Sequence, residues 1–241
     1  IPNRSGLAKD NVTVADALKA AGYATGIFGK WHLDGPEGAL PGAQGFDTVH
    51  QSFHTWSDAK IKDPENPKGV FSLTRGATTF VEKNRDRPFF VYLAHNAVHF
   101  PRYPTADFRG QSPNGLLGDW VQEVDWSVGQ ILDALRAMKL DRNTLVLFFS
   151  DNGGPVGQGA NNFPLRGAKG STLEGGIRVP GLAWWPGTIP AGSSTDAITA
   201  MIDVLPTFAA LARAPLTANR KIDGVDIFSV LTGAPATPPR D

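Results

Sequence analysis

The chain has 241 residues, 41% of them hydrophobic and 19% charged, which is ordinary for a globular protein and long enough to bury a sizeable core. Lysine plus arginine and aspartate plus glutamate balance at 23 each, so the chain lacks the basic footprint of a nucleic-acid binder and any affinity for anions has to be local. No cysteine is present, which excludes disulfides and thiol catalysis within this stretch, and no apolar run is long enough to span a bilayer.

Ile1 to Gly6 have neither the basic start nor the apolar stretch of a signal peptide, so the start reads as a truncation or processing point. From Val12 to Ala21 the apolar Val14, Ala17, Leu18 and Ala21 follow helical spacing, with Thr13 placed to cap the helix and Gly22 to stop it. A short strand is expected from Tyr23 to Phe28. Gly35 to Gly45, rich in glycine and proline, and the polar Asp58 to Gly69 read as surface loops.

A second helix is expected over Leu73 to Lys83. Pro88 then introduces Phe89, Phe90, Val91, Tyr92 and Leu93, a continuous apolar run suited to a strand buried on both faces. Leu117, Trp120, Val121, Val124, Val128, Ile131, Leu132, Leu135 and Met138 recur at three- and four-residue steps and make one amphipathic stripe. Asp141, Arg142 and Asn143 turn the chain into Leu145 to Phe149, a second buried strand. Val179 to Trp185 reads as a further strand, Asp203 as the cap of a helix carrying Leu205, Phe208 and Leu211, and the proline-rich Thr232 to Asp241 as frayed. Helix followed by strand, repeated three times, implies an α/β fold with a mostly parallel central sheet flanked by helices.

In such sheets functional groups gather beyond the carboxyl ends of the strands. The first strand delivers Lys30, Trp31 and His32 there, the second His95 and His99, the third Ser150 to Gly154. Asp151-Asn152-Gly153 taken alone is a hairpin turn, but Pro155 to Gly159 does not alternate as a returning strand would. An aspartate and an asparagine offer hard oxygen ligands, suited to calcium or magnesium, though two are too few for a complete site. His95 and His99 have the spacing of a helical zinc pair, yet they follow a strand and precede Phe100-Pro101, and a lone loop histidine is more often structural or exposed than catalytic. Lys30 and His32 alternate at strand spacing and point the same way, which also fits a solvated strand end. Gly167-Ala168-Lys169-Gly170-Ser171-Thr172 does not match the Walker order, and Gly157-Gln158-Gly159 lacks the third glycine of a dinucleotide fingerprint, so both nucleotide readings fail. Lys169, in a glycine-rich setting, can still approach an oxyanion closely. Glu174 and Arg178 read as a structural pair around Gly175-Gly176.

Together these segments resemble the type I sulfatases of the alkaline-phosphatase-like superfamily. The resemblance lies in Gly22-Tyr23-Ala24-Thr25 running into Gly29-Lys30-Trp31-His32-Leu33, in Gly45-Phe46-Asp47, and in Pro88-Phe89-Phe90 through His99-Phe100-Pro101. It continues in Ser150-Asp151-Asn152-Gly153 and in Leu165-Arg166-Gly167 through Lys169-Gly170, Glu174-Gly175-Gly176 and Pro180. The five stretches stand in family order across nearly the whole chain. The resemblance implies that Asp151 and Asn152 are ligands of a divalent cation, calcium with magnesium as the alternative, and that Lys169 and His99 contact the sulfate and the departing oxygen. It implies that Lys30 and His32 hold the hydroxyls of the nucleophile, with His32 helping the sulfated intermediate to collapse.

The family's nucleophile is a formylglycine made from Cys or Ser in a C/S-x-P-x-R motif, expected just upstream of this chain together with two further acidic metal ligands. Asp34 stands where many members have glycine. The chain therefore reads as residues 1–241 of an incomplete sulfatase-like catalytic domain, most of the C-terminal subdomain lying beyond it, and as inactive by itself. The implied substrate is a sulfated small molecule or carbohydrate, and the implied location periplasmic, secreted or, in a eukaryote, lysosomal, with no membrane or nucleic-acid partner. A phosphodiesterase or phosphonate monoester hydrolase of the same superfamily is the near rival. The neutral amide of Asn152, where two-zinc relatives typically place a histidine, favours one hard cation. A non-catalytic binder of sulfated glycans is the rival from another class.

Overall fold

Thr13 starts the first helix as its cap: its Oγ1 accepts from the Asp16 amide at 3.0 Å while the Asp16 carboxylate accepts from the Thr13 amide at 3.0 Å. Helix α1, Val14–Ala20, ends before Gly22, whose φ of 87° no other residue type adopts readily. The computed structural model describes residues 6–8, 10–33, 35, 39–52, 69–216, 221–234 and 240. Asp34, nearly all of the expected Asp58 to Gly69 loop and most of the terminal proline-rich run lie outside them.

Strand β1, Ala24–Lys30, is the centre of a three-stranded parallel sheet, with β2, Thr48–Ser52, on one side and β3, Phe89–Ala94, on the other. Side chains alternate across it as strand geometry requires. Ala24 and Phe28 pack with Leu73, Ala77 and Phe80 of helix α2, Val70–Lys83, and Val91, Leu93 and Ile131 join that layer. On the opposite face Ile27 meets Ala15, Trp31, Phe46 and Phe90, and Phe208 of a later helix sets its ring 6.1 Å from Phe90. Helices thus cover both faces. The Gly45-Phe46-Asp47 motif serves this layer: Phe46 stacks edge-on to Trp31, Asp47 exchanges hydrogen bonds with Thr25, and Lys19 bridges Asp47 at 2.6 Å. That lysine and the Thr25 donors hold the Asp47 carboxyl below the usual carboxylate range.

Helix α3, Gly115–Ala137, packs on α2 with the expected stripe turned inward through Trp120, Val124, Ile131 and Leu135, but polar residues are buried beside it. Asp119, Glu123 and Ser127 are buried with Trp120 and Leu135, while Val121 is 49% exposed. The reason is local: Asp119 accepts from the amides of Gly110 and Ser112, and Glu123 from the amide of Thr105, so polar groups clasp the 105–112 loop.

Strand β4, Val146–Phe149, departs from the expectation of a third parallel neighbour. It pairs antiparallel with β5, Gly181–Trp184, in a separate two-stranded sheet. Phe148, Phe149 and Leu182 are 38%, 39% and 66% exposed, so the β4 run is not enclosed on both faces as expected, whereas β3, though only half-buried, packs through Val91 and Leu93 on one face and Phe90 on the other. An apolar run reports the capacity to be covered, not the presence of a cover.

The short helix α4, Glu174–Ile177, precedes β5; α5, Val204–Ala212, and α6, Phe228–Thr232, follow it. Asp203 does stand at the N-terminus of α5, but its side chain caps no α5 amide. Buried completely, it accepts from the amides of Ala200 and Val225 and from the Arg240 guanidinium, which ties Arg240 down. No helix of the described residues is long and apolar enough to cross a membrane.

Candidate active site

The parallel register of β1 and β3, with Gly29 opposite Ala94, brings their carboxyl ends out on one side. Gly29 has a φ of 115°, and a Cβ there would lie 1.9 Å from the Ala94 carbonyl oxygen, so only glycine lets the strands approach this closely just before Lys30. Lys30 is the last residue of β1. His32, two residues on, is exposed and held at a φ of 56°, a conformation that side chains other than glycine enter rarely and that concentrates at functional positions.

Beyond β3, the expected histidine pair separates into two roles. His95 is an interior group: its Nε2 lies 3.0 Å from Ser127 Oγ, Ser127 meets Thr74 Oγ1, and burial pushes the imidazole down to about 4, so it is neutral at physiological pH. Ala97 and Val98 pack against Val70 and Trp120. The turn they anchor ends in exposed His99, whose Nδ1 donates to the Phe100 carbonyl at 2.6 Å. That bond makes Nε2 the nitrogen able to exchange a proton with a ligand.

Past β4, Ser150 Oγ donates to the Asn152 carbonyl and Asn152 Nδ2 to that of Gly153. The chain does not return as a hairpin. The Gly153 amide instead donates to Gly176 at 2.9 Å, and a Cβ on Gly153 would lie 1.8 Å from the Gly175 oxygen, so the Glu174-Gly175-Gly176 motif exists to let this turn seat against α4. Glu174 and Arg178 form an exposed ion pair at 3.5 Å, as the sequence led us to expect. The Lys169 amide donates to the Gly154 carbonyl at 3.2 Å, which fixes the lysine turn to the Asp151 turn.

Electrostatics connect the halves. Burial holds the Lys30 ammonium below its usual range, Asp151 opposes that shift and Lys169 reinforces it, so the three charges share one neighbourhood. Partial burial and, after it, the Asp151 charge raise the Tyr92 phenol on β3. Arg102 donates to the Gln158 carbonyl at 2.7 Å and thereby joins the His99 turn to the segment between Asp151 and Lys169. Of the six expected site residues, Lys30, Asp151 and Lys169 are linked through their charges, Asn152 adjoins Asp151, and His32 and His99 stand at the ends of adjacent strands.

The donor set tests the expected cation. Asp151 and Asn152 supply oxygen only, one carboxylate and one neutral amide, with no cysteine in the chain and no group of three His, Asp or Glu able to hold a metal among the described residues. This is the chemistry of a hard divalent cation, and the two side chains fit as part of its shell, since calcium takes six to eight oxygens. Two groups that knit the site together, Arg102 and Asn162, carry no sequence signal: each is a lone polar residue in a loop.

The fold is a parallel α/β core flanked by helices, with Lys30 and His32 at the end of β1, His99 beyond β3, and the Asp151 and Lys169 turns after β4. The sulfatase family profile matches residues 1–214. Human arylsulfatase A is 34% identical over 98% of this chain and 54% of its own length, and rat steryl-sulfatase is 43% identical over 71% of this chain and 31% of its own. The solved structure of Ps i-CgsB in complex with k-i-k-neocarrahexaose superimposes with a TM-score of 0.86 at 32% identity, covering 97% of this chain and 61% of that one. The chain belongs to the sulfatase family, and it spans about half the length of arylsulfatase A.

Proposed function

We propose that the full-length protein hydrolyses a sulfate monoester, with Lys30, His32, His99, Asp151, Asn152 and Lys169 as this chain's part of the active site. The observation that carries the reading is that Lys30, at the end of β1, lies within reach of the charges of Asp151 and Lys169, which the bond from the Lys169 amide to the Gly154 carbonyl ties together. Two ammonium groups held together with one partner are relieved by an anion, and a sulfate ester presents one negative charge spread over its non-bridging oxygens.

Lys169 binds and orients those oxygens from the glycine-rich turn, while Lys30, at the end of β1, holds a hydroxyl of the nucleophile and adds its positive charge to the same neighbourhood. His99, its Nδ1 committed to the Phe100 carbonyl, gives a proton from Nε2 to the departing alkoxide or phenoxide. His32, at the end of β1, holds the nucleophile's hydroxyl and accepts its proton. Asp151 and Asn152 hold a divalent cation, calcium in the first instance, which when bound adds positive charge at the sulfate oxygens and at the nucleophile. The nucleophile, a formylglycine, is contributed from outside these 241 residues, so the chain alone is inactive. The substrate is a sulfated small molecule or carbohydrate; the neighbour Ps i-CgsB was solved in complex with k-i-k-neocarrahexaose. The same reading places the enzyme outside the cytoplasm.

Matched aryl sulfate and aryl phosphate esters, assayed with the full-length protein before and after chelation, test this. Sulfate release that stops on chelation and returns with calcium supports it. Preferred phosphate release, or tight binding of sulfated glycans without release, refutes it.

A further inference from the structure

Asp151 and Lys169 belong to turns separated by seventeen residues that contain no strand and only one short turn of helix. Secondary structure therefore cannot set the distance between them. One side chain does, together with the backbone bond from the Lys169 amide to the Gly154 carbonyl. Asn162 Oδ1 accepts from the Gly154 amide at 2.9 Å, and its Nδ2 donates both to the Gly154 carbonyl at 2.8 Å and to the Gly167 carbonyl at 3.1 Å. The amide thus grips both backbone groups of the residue two beyond Asn152 and a backbone group two before Lys169. The Gly154 carbonyl receives the Lys169 amide as well, so one peptide is the shared hub of both turns. The fit is close: a Cβ at Gly154 would stand 2.9 Å from Asn162 Oδ1. The neighbouring Asn161 is engaged only locally, its Oδ1 accepting from the Phe163 amide.

We infer that Asn162 is a positioning residue that couples the cation-ligand turn to the Lys169 turn, so that the spacing of cation and lysine depends on one primary amide acting beside the Lys169–Gly154 backbone bond. It touches neither substrate nor cation. It acts on the reaction through Gly154 and Gly167, and on cation affinity through the pose of Asp151 and Asn152. The inference rests on the functional reading above, both for its kinetic consequence and for the cation that Asp151 and Asn152 are taken to hold.

The test uses the full-length protein and two substitutions. Asn162→Ala removes the bridge. Asn162→Asp keeps the size and the bond from the Gly154 amide but turns the two donated bonds into oxygen–oxygen repulsion. Partners of metal ligands typically change affinity or activity by about 10- to 100-fold when removed. Both variants are therefore expected to lower kcat for an aryl sulfate by about tenfold or more, with KM moved by less than about threefold. Both should also raise, by about tenfold, the calcium concentration at the midpoint of thermal stabilisation by calcium alone. In a Lys169→Ala background the Asn162→Ala step should cost less than about threefold in kcat, because the lysine it positions is gone. Asn161→Ala should match the parent in every readout. Equal losses in both backgrounds, or an unchanged calcium midpoint in Asn162→Asp, would overturn the inference. If the parent is stabilised by calcium yet hydrolyses no sulfate ester, the functional reading fails while the calcium arm still decides the role of Asn162.

Discussion

Lys30 and His32 leave a strand hydrogen-bonded on both edges and packed on both faces, whereas Asp151, Asn152 and Lys169 sit in turns held by glycine contacts and the Asn162 amide. In the first half a displaced side chain has to move a core; in the second it has only to move a loop. The strand-held half should therefore fail by unfolding and the loop-held half by losing its ligands, and the contrast can be broken at single positions.

The largest expected effect is at Gly29. Alanine there is opposed both by its φ of 115° and by a Cβ 1.9 Å from the Ala94 oxygen, and overpacking together with left-handed strain should cost about 3 kcal/mol of stability by chemical denaturation. Gly153→Ala meets an equally short contact with Gly175, but the turn can yield. It should weaken calcium binding by about 10- to 100-fold while lowering stability far less than Gly29→Ala. Equal destabilisation by the two substitutions would erase the distinction.

Next in size is a pH effect beneath His99. Folded, His95 takes up a proton only near pH 4; unfolded, it does so near 6.5. Between these values the unfolded state binds more protons, so the stability due to His95 is complete above about 6.5 and is lost as pH falls toward 4, by at most about 3 kcal/mol. His95→Phe should remove that part of the slope of stability against pH; an unchanged slope would show that other groups carry it. Smaller still, Thr13→Ala should cost about 1 kcal/mol, the worth of a helix cap, with no change in calcium affinity. Lys19→Ala, breaking an exposed pair with Asp47, should cost less than about 1 kcal/mol in the same denaturation assay.

The two halves were also unequally legible. Lys30 and His99 could be located because apolar runs mark strands and their ends, whereas the expected alternation does not reach His32, since β1 stops at Lys30 and His32 has a φ of 56°. The α1 cap at Thr13 and the Glu174–Arg178 pair were readable because they depend on residues three or four apart. Strand β2, Thr-Val-His-Gln-Ser, was not expected, since a short polar edge strand carries no apolar signature. The antiparallel pairing of β4 was missed because an apolar run records burial and not direction. Asp119 and Glu123 look solvent-facing in a helix pattern; the loop amides they accept from come from a turn that no periodicity describes. Asn162 escaped for the same reason: what distinguishes it from Asn161 is which backbone groups lie within reach, and that is decided by the fold.

The central claim is that the two halves hold one sulfate ester between them. The most direct measurement is kcat/KM of the full-length protein for an aryl sulfate in the parent, Lys30→Ala, Lys169→Ala and the double variant. Each single substitution should lower it by about 10²- to 10³-fold, the worth of one oxyanion-stabilising group, and the double variant should lose much less than the product of the two. Turnover within about threefold of the parent in either single variant would contradict the account.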